Sequence, residues 1–139
     1  MNIHEIQFFK GVDAQVIKEI ENSSTMQTYE KDAVIFEKGR KADFLYILEK
    51  GNIDLRIRDK DLTICSLVEP GEVFGWSSIV EKGIYTASSI CKTQTKVIKI
   101  SKDKIEDIFN RYPKAAIIFY RRLGSIFSKR ISKALEGTQ

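Results

Sequence analysis

Histidine, cysteine and proline are scarce in this chain, with one, two and two copies among 139 residues. A zinc site needs about four nitrogen, sulfur or oxygen ligands, and His4 is the only histidine. Cys65 and Cys91 lie in separate strand-like runs without CxxC spacing, so we expect two buried structural thiols. The sequence also has no Gly-x-Ser-x-Gly elbow and no P-loop. These absences predict a protein without metal, cofactor or catalytic residues.

The chain also lacks long hydrophobic runs and a hydrophobic N-terminal leader. Its uncharged runs, such as residues 115–120, are far shorter than the ~20 apolar residues of a membrane span. Residues 1–5 contain neither a basic region nor an apolar core, so we expect no signal peptide and a cytoplasmic location. Because no low-complexity linker divides the chain, residues 1–139 are expected to form a single domain.

Positive charge is concentrated near the C-terminus. The net charge is +4, and residues 111–133 contain seven cations and no acidic residue. Such a stretch is typical of a solvated helix face, which the macrodipole favours near a helix C-terminus, or of nonspecific phosphate binding. Of these two interpretations we favour the solvated face.

The periodicity of the apolar residues changes twice along the chain. A spacing of three and four predicts an N-terminal helix over about residues 12–22, with Asp13 placed to cap it. A spacing of two, broken by glycine turns, then predicts about eight short strands over residues 24–100, among them a strand at 84–90. Helices return over about residues 102–135, where Ser101 is expected to cap the first and Pro113 to begin the second. The pattern is typical of a mainly β protein with flanking helices, an antiparallel β-roll or double-stranded, cupin-like jelly roll.

Five segments of the roll and its flanks occur in the order and spacing of a known domain. The chain resembles the cyclic-nucleotide-binding domain, the sensor module of catabolite-activator (Crp/Fnr-type) regulators, protein kinase A regulatory subunits and gated channels. The resemblance implies a non-enzymatic regulatory domain that binds a small molecule. The segments are residues 9–11, 34–39, 43–51, 69–75 and 111–113.

The phosphate-binding segment departs from the pattern of that family. The family pattern is Phe-Gly-Glu followed by Arg-x-Ala-Thr/Ser, in which the Glu holds the ribose hydroxyl and the Arg contacts the phosphate. Here Trp76 stands at the Glu position and Tyr85 at the Arg position. Two lost charge-assisted hydrogen bonds remove about 3–6 kcal/mol, which is on the order of 10²–10⁴ in affinity. We therefore do not expect cyclic AMP to bind in the usual way.

The altered segment has two interpretations. In one, Trp76 offers an apolar or stacking surface, neutral hydroxyls surround it, and the pocket takes a small, uncharged or weakly anionic, partly aromatic ligand. In the other, Trp76 plugs the pocket, the hydroxyls satisfy nearby backbone groups, and the chain is a constitutive protein-interaction module. Residual cyclic-nucleotide binding is less favoured than either. The candidate lining residues are Gly75, Trp76, Ser77, Ser78, Tyr85, Thr86, Ala87 and Ser88.

The last predicted helix carries an apolar seam longer than a small roll can cover. The resemblance implies that this helix pairs with its copy, so we predict a homodimer. In relatives that bind DNA a helix-turn-helix follows this helix. Here the printed sequence ends at Gln139, and we expect no DNA-binding domain in this chain. The predicted seam residues are Ala116, Tyr120, Leu123, Phe127 and Ile131.

Overall fold

The N-terminal helix is capped as its sequence predicts. The structure, a computed structural model, describes residues 6–79 and 83–136, without the side chain of Ser78. A 3₁₀ turn at Gln7–Phe9 precedes helix α1, Ala14–Asn22. The carboxylate of Asp13 accepts a hydrogen bond from the backbone N–H of Gln15 at 2.8 Å, which satisfies one of the free donors at the helix start.

Two four-stranded antiparallel sheets form the roll. Along the first sheet the strand order is β1-β8-β3-β6, and along the second it is β2-β7-β4-β5. This arrangement confirms the mainly β fold with flanking helices. The strands are β1 (Ser24–Tyr29), β2 (Val34–Phe36), β3 (Phe44–Lys50), β4 (Ile53–Ile57), β5 (Leu62–Leu67), β6 (Val73–Phe74), β7 (Ser88–Cys91) and β8 (Thr95–Ser101).

The strand predicted at 84–90 is wrong over its first half. Strand β7 begins only at Ser88, and Ile84 forms an isolated bridge with Lys41. The backbone of Tyr85 bonds instead to the turn before β3, donating to the carbonyl of Arg40 and accepting from the N–H of Gly39. Residues 84–87 therefore leave the sheet, and their alternating pattern reflects packing at its edge.

The expected cap at Ser101 is also incorrect. Ser101 occupies the N-cap position of helix α2, Lys102–Arg111, but its side chain makes no capping hydrogen bond. The first helical N–H, that of Lys102, donates to the carbonyl of Asp43 at 2.9 Å. A backbone group of the loop before β3 thus replaces the hydroxyl as partner of this helix start.

The two faces of the first sheet build two separate cores. Successive side chains of a strand point to opposite faces, so Leu45 and Ile47 on β3 face the helices while Tyr46 and Leu48 face the interior of the roll. The core beneath the helices includes Phe8, Phe9, Ile105, Phe109 and Phe119. The core of the roll includes Phe36, Leu55, Phe74, Tyr85 and Val97.

Helix α3, Pro113–Glu136, has the predicted length. Its first half buries Ala115, Phe119 and Leu123 in the core beneath the helices. Its second half leaves Phe127 and Ile131 49% and 41% exposed. This second half lies over the mouth of the roll and forms one wall of the site.

Candidate functional site

A cavity of about 460 Å³ lies between the roll and the second half of α3. This volume is in the range of small-molecule sites in proteins. Strand β5 contributes Ile64 and Cys65 to its wall, and α3 contributes five residues that the predicted lining did not include. Six predicted residues do line it, namely Gly75, Trp76, Ser77, Tyr85, Thr86 and Ala87. Ser88 does not line the cavity, and the side chain of Ser78 lies outside the description.

Gly75 is required by the turn that leads into the site. Its φ is +73°, and a Cβ built there would lie 2.9 Å from Cδ2 of Tyr46 and 3.2 Å from Cε2 of Phe36. Both rings belong to the core of the roll, so they have little room to move. The glycine thus directs the chain from β6 into the 3₁₀ turn Trp76–Ile79.

Trp76 forms a side wall of the cavity. Its indole meets the ring of Phe127 on α3 edge to face, with ring centroids 5.3 Å apart and planes at 77°. The residue is half-buried, and the cavity extends beside it. Trp76, which the sequence analysis aligns with the family's ribose-binding Glu, therefore makes an aromatic contact between the roll and the helix.

Tyr85, which the sequence analysis aligns with the family's arginine, is part of the core of the roll. Its ring stacks on Phe36 with centroids 3.9 Å apart and planes at 12°. Its hydroxyl donates to the carbonyl oxygen of Phe44 at 2.9 Å and accepts from the N–H of the same residue at 3.4 Å. Burial raises the pKa of Tyr85 to about 12, so the group is neutral at physiological pH.

The hydroxyls of the predicted lining divide into two groups. Those of Tyr85 and Ser88 already bond to the backbone, since Ser88 Oγ accepts the N–H of Lys38 at 3.0 Å. Ser77 and Thr86 line the cavity itself. The neutral hydroxyl set expected for ligand binding is therefore reduced to these two residues within the described lining.

Arg130 on α3 brings a positive charge into the cavity wall. Its Nη2 donates to the carbonyl oxygen of Val73, while Nη1 is buried and has no hydrogen-bond partner among the residues described. Burial lowers the pKa of Arg130. The sequence places this residue in a run of seven cations. What distinguishes Arg130 from the other six cations is its position three residues after Phe127, which places both residues on the same side of the helix.

Three of the five predicted seam residues, Tyr120, Phe127 and Ile131, are exposed on α3, and the other two are not. Leu123 is 3% exposed in the core beneath the helices, and Ala116 packs against the same core. Ile117, the residue after Ala116, is 53% exposed. Gly124, the residue after Leu123, is also open to solvent, since a Cβ built there would meet nothing within 4 Å. The exposed positions are 117, 120, 124, 127 and 131, which repeat at three and four as a coiled-coil seam does.

Residues 6–79 and 83–136 contain no group of three or more His, Cys, Asp and Glu side chains able to hold a metal ion. Within the same ranges no helix combines the length and apolar character needed to cross a bilayer. His4 lies outside the described residues.

The fold and the cavity together define a class, a β-roll with a cavity between it and the C-terminal helix. The chain belongs to the cyclic nucleotide-binding domain family, whose model matches residues 26–112. It is 25% identical to a putative cyclic nucleotide-binding protein from Geobacter metallireducens, with a TM-score of 0.82 over 91% of this chain and 92% of that one. The Thermus thermophilus catabolite activator protein has the same fold, with a TM-score of 0.73 at 21% identity over 94% of this chain and 61% of that one.

A curated relative extends the similarity to eukaryotes. The chain is 27% identical over 92 residues to the cAMP-dependent protein kinase regulatory subunit of Candida albicans, covering 66% of this chain. It spans 19% of the length of that relative. Domains of this family are typically regulatory and non-catalytic.

Proposed function

We propose that this chain is a non-enzymatic regulatory domain, comprising residues 1–139, whose altered pocket does not hold cyclic AMP in the usual way. One observation carries the proposal. Tyr85 replaces the phosphate-binding arginine, and its stacked ring and bonded hydroxyl commit it to the core. Among the described residues of the phosphate-binding segment, none offers a guanidinium to a cyclic phosphate.

The contact of the family's Glu with the ribose hydroxyl is also lost, because Trp76 stands at that position. Trp76 cannot accept a hydrogen bond from a ribose hydroxyl, because its indole has only a donor. A nucleotide bound here would lose both charged partners of the family pattern, the carboxylate for its ribose hydroxyl and the arginine of this segment for its phosphate. The expected weakening, about 10²–10⁴-fold, applies to cyclic AMP and cyclic GMP alike.

Calorimetric titration with each cyclic nucleotide tests this proposal. We expect no saturable heat at nucleotide concentrations up to about 100 μM, because the loss of two charge-assisted bonds moves a micromolar site out of that range. Micromolar binding of either nucleotide would show that the pocket grips the phosphate without Arg at position 85, and the proposal would be wrong.

We also propose that α3 transmits the state of the pocket and pairs with the α3 of a second copy. The edge-to-face contact between Trp76 and Phe127 links the altered segment directly to the helix. A ligand shifts the helix only if it binds two helix positions with different affinity. The exposed seam supports a helix pair, since Ile117 and Ile131 flank Gly124, where two helices could approach closely.

A constitutive protein-interaction module is the second candidate function. The observation that favours it is the backbone bonding of the Tyr85 and Ser88 hydroxyls, which withdraws them from any ligand. In that case Trp76 emission would not respond to any small molecule, and the exposed seam of α3 would bind a different protein.

A further inference from the structure

The cavity wall contains a cation whose charge is not neutralised by the described residues. The guanidinium of Arg130 forms no ion pair with a carboxylate in the part of the chain that the structure describes, and its Nη1 is a buried donor without a partner. Glu72 lies within electrostatic reach of it, but its carboxylate accepts hydrogen bonds from the N–H groups of Val68 and Glu69, each at 3.1 Å. A buried charge of this kind is unfavourable unless an anion pairs with it.

The rest of the wall is mainly apolar, apart from the hydroxyl residues Ser77 and Thr86. The roll contributes Leu55, Ile64 and Trp76, and the helix contributes Phe127 and Ile131. A ligand that fits this wall needs an apolar body and one negative group. A cyclic nucleotide fits it poorly, because its ribose hydroxyls and base edges need several polar partners that the wall does not offer.

We propose that the cavity binds a small organic acid with an apolar, partly aromatic body, and that Arg130 is the residue that holds its acidic group. This assignment rests on the proposed function, since it names the ligand class of the same pocket. The acid accepts hydrogen bonds from the guanidinium of Arg130, and a charge-assisted pair of this kind is about twice as strong as a neutral hydrogen bond. The apolar body packs against Trp76 and Ile131.

Because Arg130 belongs to α3, a ligand bound to it contacts the helix directly. Nη2 of the guanidinium is tied to the carbonyl oxygen of Val73 on the roll, and Arg130 also lines the cavity. A bound acid therefore adds a second tie between the roll and the helix. Occupancy favours the observed position of α3 to the extent that the acid binds this position more tightly than another.

Two fluorescent probes that differ by one acidic group test the proposal. The first is 8-anilinonaphthalene-1-sulfonate, and the second is N-phenyl-1-naphthylamine, the same ring system without the sulfonate. Trp76 is the only tryptophan of the chain, so energy transfer from it reports probe bound near the cavity. In Arg130→Gln we expect the sulfonate probe to bind about 10- to 100-fold more weakly, while the neutral probe changes by less than about threefold.

Two further variants make the outcome decisive. Arg121→Gln removes the same charge from an exposed position of α3, outside the cavity wall, and should leave both probes unchanged. Arg130→Lys keeps the charge and should retain most of the sulfonate binding. This variant still tests the proposal if Arg130→Gln does not fold. Equal changes for both probes in Arg130→Gln, a loss of sulfonate binding in Arg130→Lys, or no change in Arg130→Gln would overturn the assignment. Each of those results leaves the proposed function intact, because that stands or falls on the cyclic-nucleotide titration.

Discussion

The turn at Gly75 allows a quantitative test of how tightly the site is built into the roll. Replacing Gly75 with Ala imposes a positive φ on a residue with a side chain, which costs about 1–2 kcal/mol. It also places a Cβ 2.9 Å from the Tyr46 ring and 3.2 Å from the Phe36 ring. Overpacking a core in this way costs about 1–3 kcal/mol more. The free energy of unfolding should therefore fall by about 2–5 kcal/mol.

A second glycine provides the matched control. Gly39 has a φ of +88°, but a Cβ there meets nothing within 4 Å. Gly39→Ala therefore bears the backbone strain alone, and its free energy of unfolding should fall by about 1–2 kcal/mol. The difference between the two variants isolates the clash with the aromatic core.

Urea denaturation followed by circular dichroism measures both values. At this chain length 1 kcal/mol corresponds to about 4 °C in Tm, so Gly75→Ala should also melt roughly 8–20 °C below the wild type. If Gly75→Ala is no less stable than Gly39→Ala, the rings around position 75 yield easily. The close packing inferred for the entry to the site would then be refuted.

The dimer seam and the core tyrosine give two further predictions. Ile117→Asp places a charge on the exposed seam and should convert a dimer into a monomer in light scattering at tens of micromolar, whereas Ser132→Asp, elsewhere on the same helix, should remain dimeric. A monomeric wild type, or a dimeric Ile117→Asp, would contradict the helix pairing. Tyr85→Phe keeps the stacked ring but removes the bond to the carbonyl of Phe44, and urea denaturation should show a loss of about 1–2 kcal/mol. An unchanged stability would mean that this hydroxyl bond contributes nothing.

Patterns that reflect local burial predicted the fold well. The continuous apolar run of β3 and the three-four spacing of α1 report which residues are buried, and burial decides these elements. The strand expected at 84–90 was incorrect because Tyr85 is buried by stacking on Phe36 at the edge of the sheet. Alternation alone does not separate that packing from strand pairing.

The site was only partly predictable, because more than half of its lining residues lie far in sequence from the segment 75–88. The motif comparison located Trp76 and Tyr85, whose spacing follows a local turn and loop. The selection of Arg130 from seven similar cations depends on how α3 is rotated against the roll. The same rotation decides that Leu123 is buried while Ile117 is exposed, and a helical sequence with two adjacent apolar stripes does not specify it.

Phe127 and Ile131 belong to two surfaces at once, since both line the cavity and both stay substantially exposed on the seam. If α3 pairs as proposed, ligand binding and self-association are therefore linked equilibria. By reciprocity, a ligand that tightens the dimer tenfold is itself held tenfold more tightly by the dimer than by the monomer, a coupling of about 1.4 kcal/mol. The apparent ligand affinity of this chain then depends on its own concentration, and dilution weakens both interactions together.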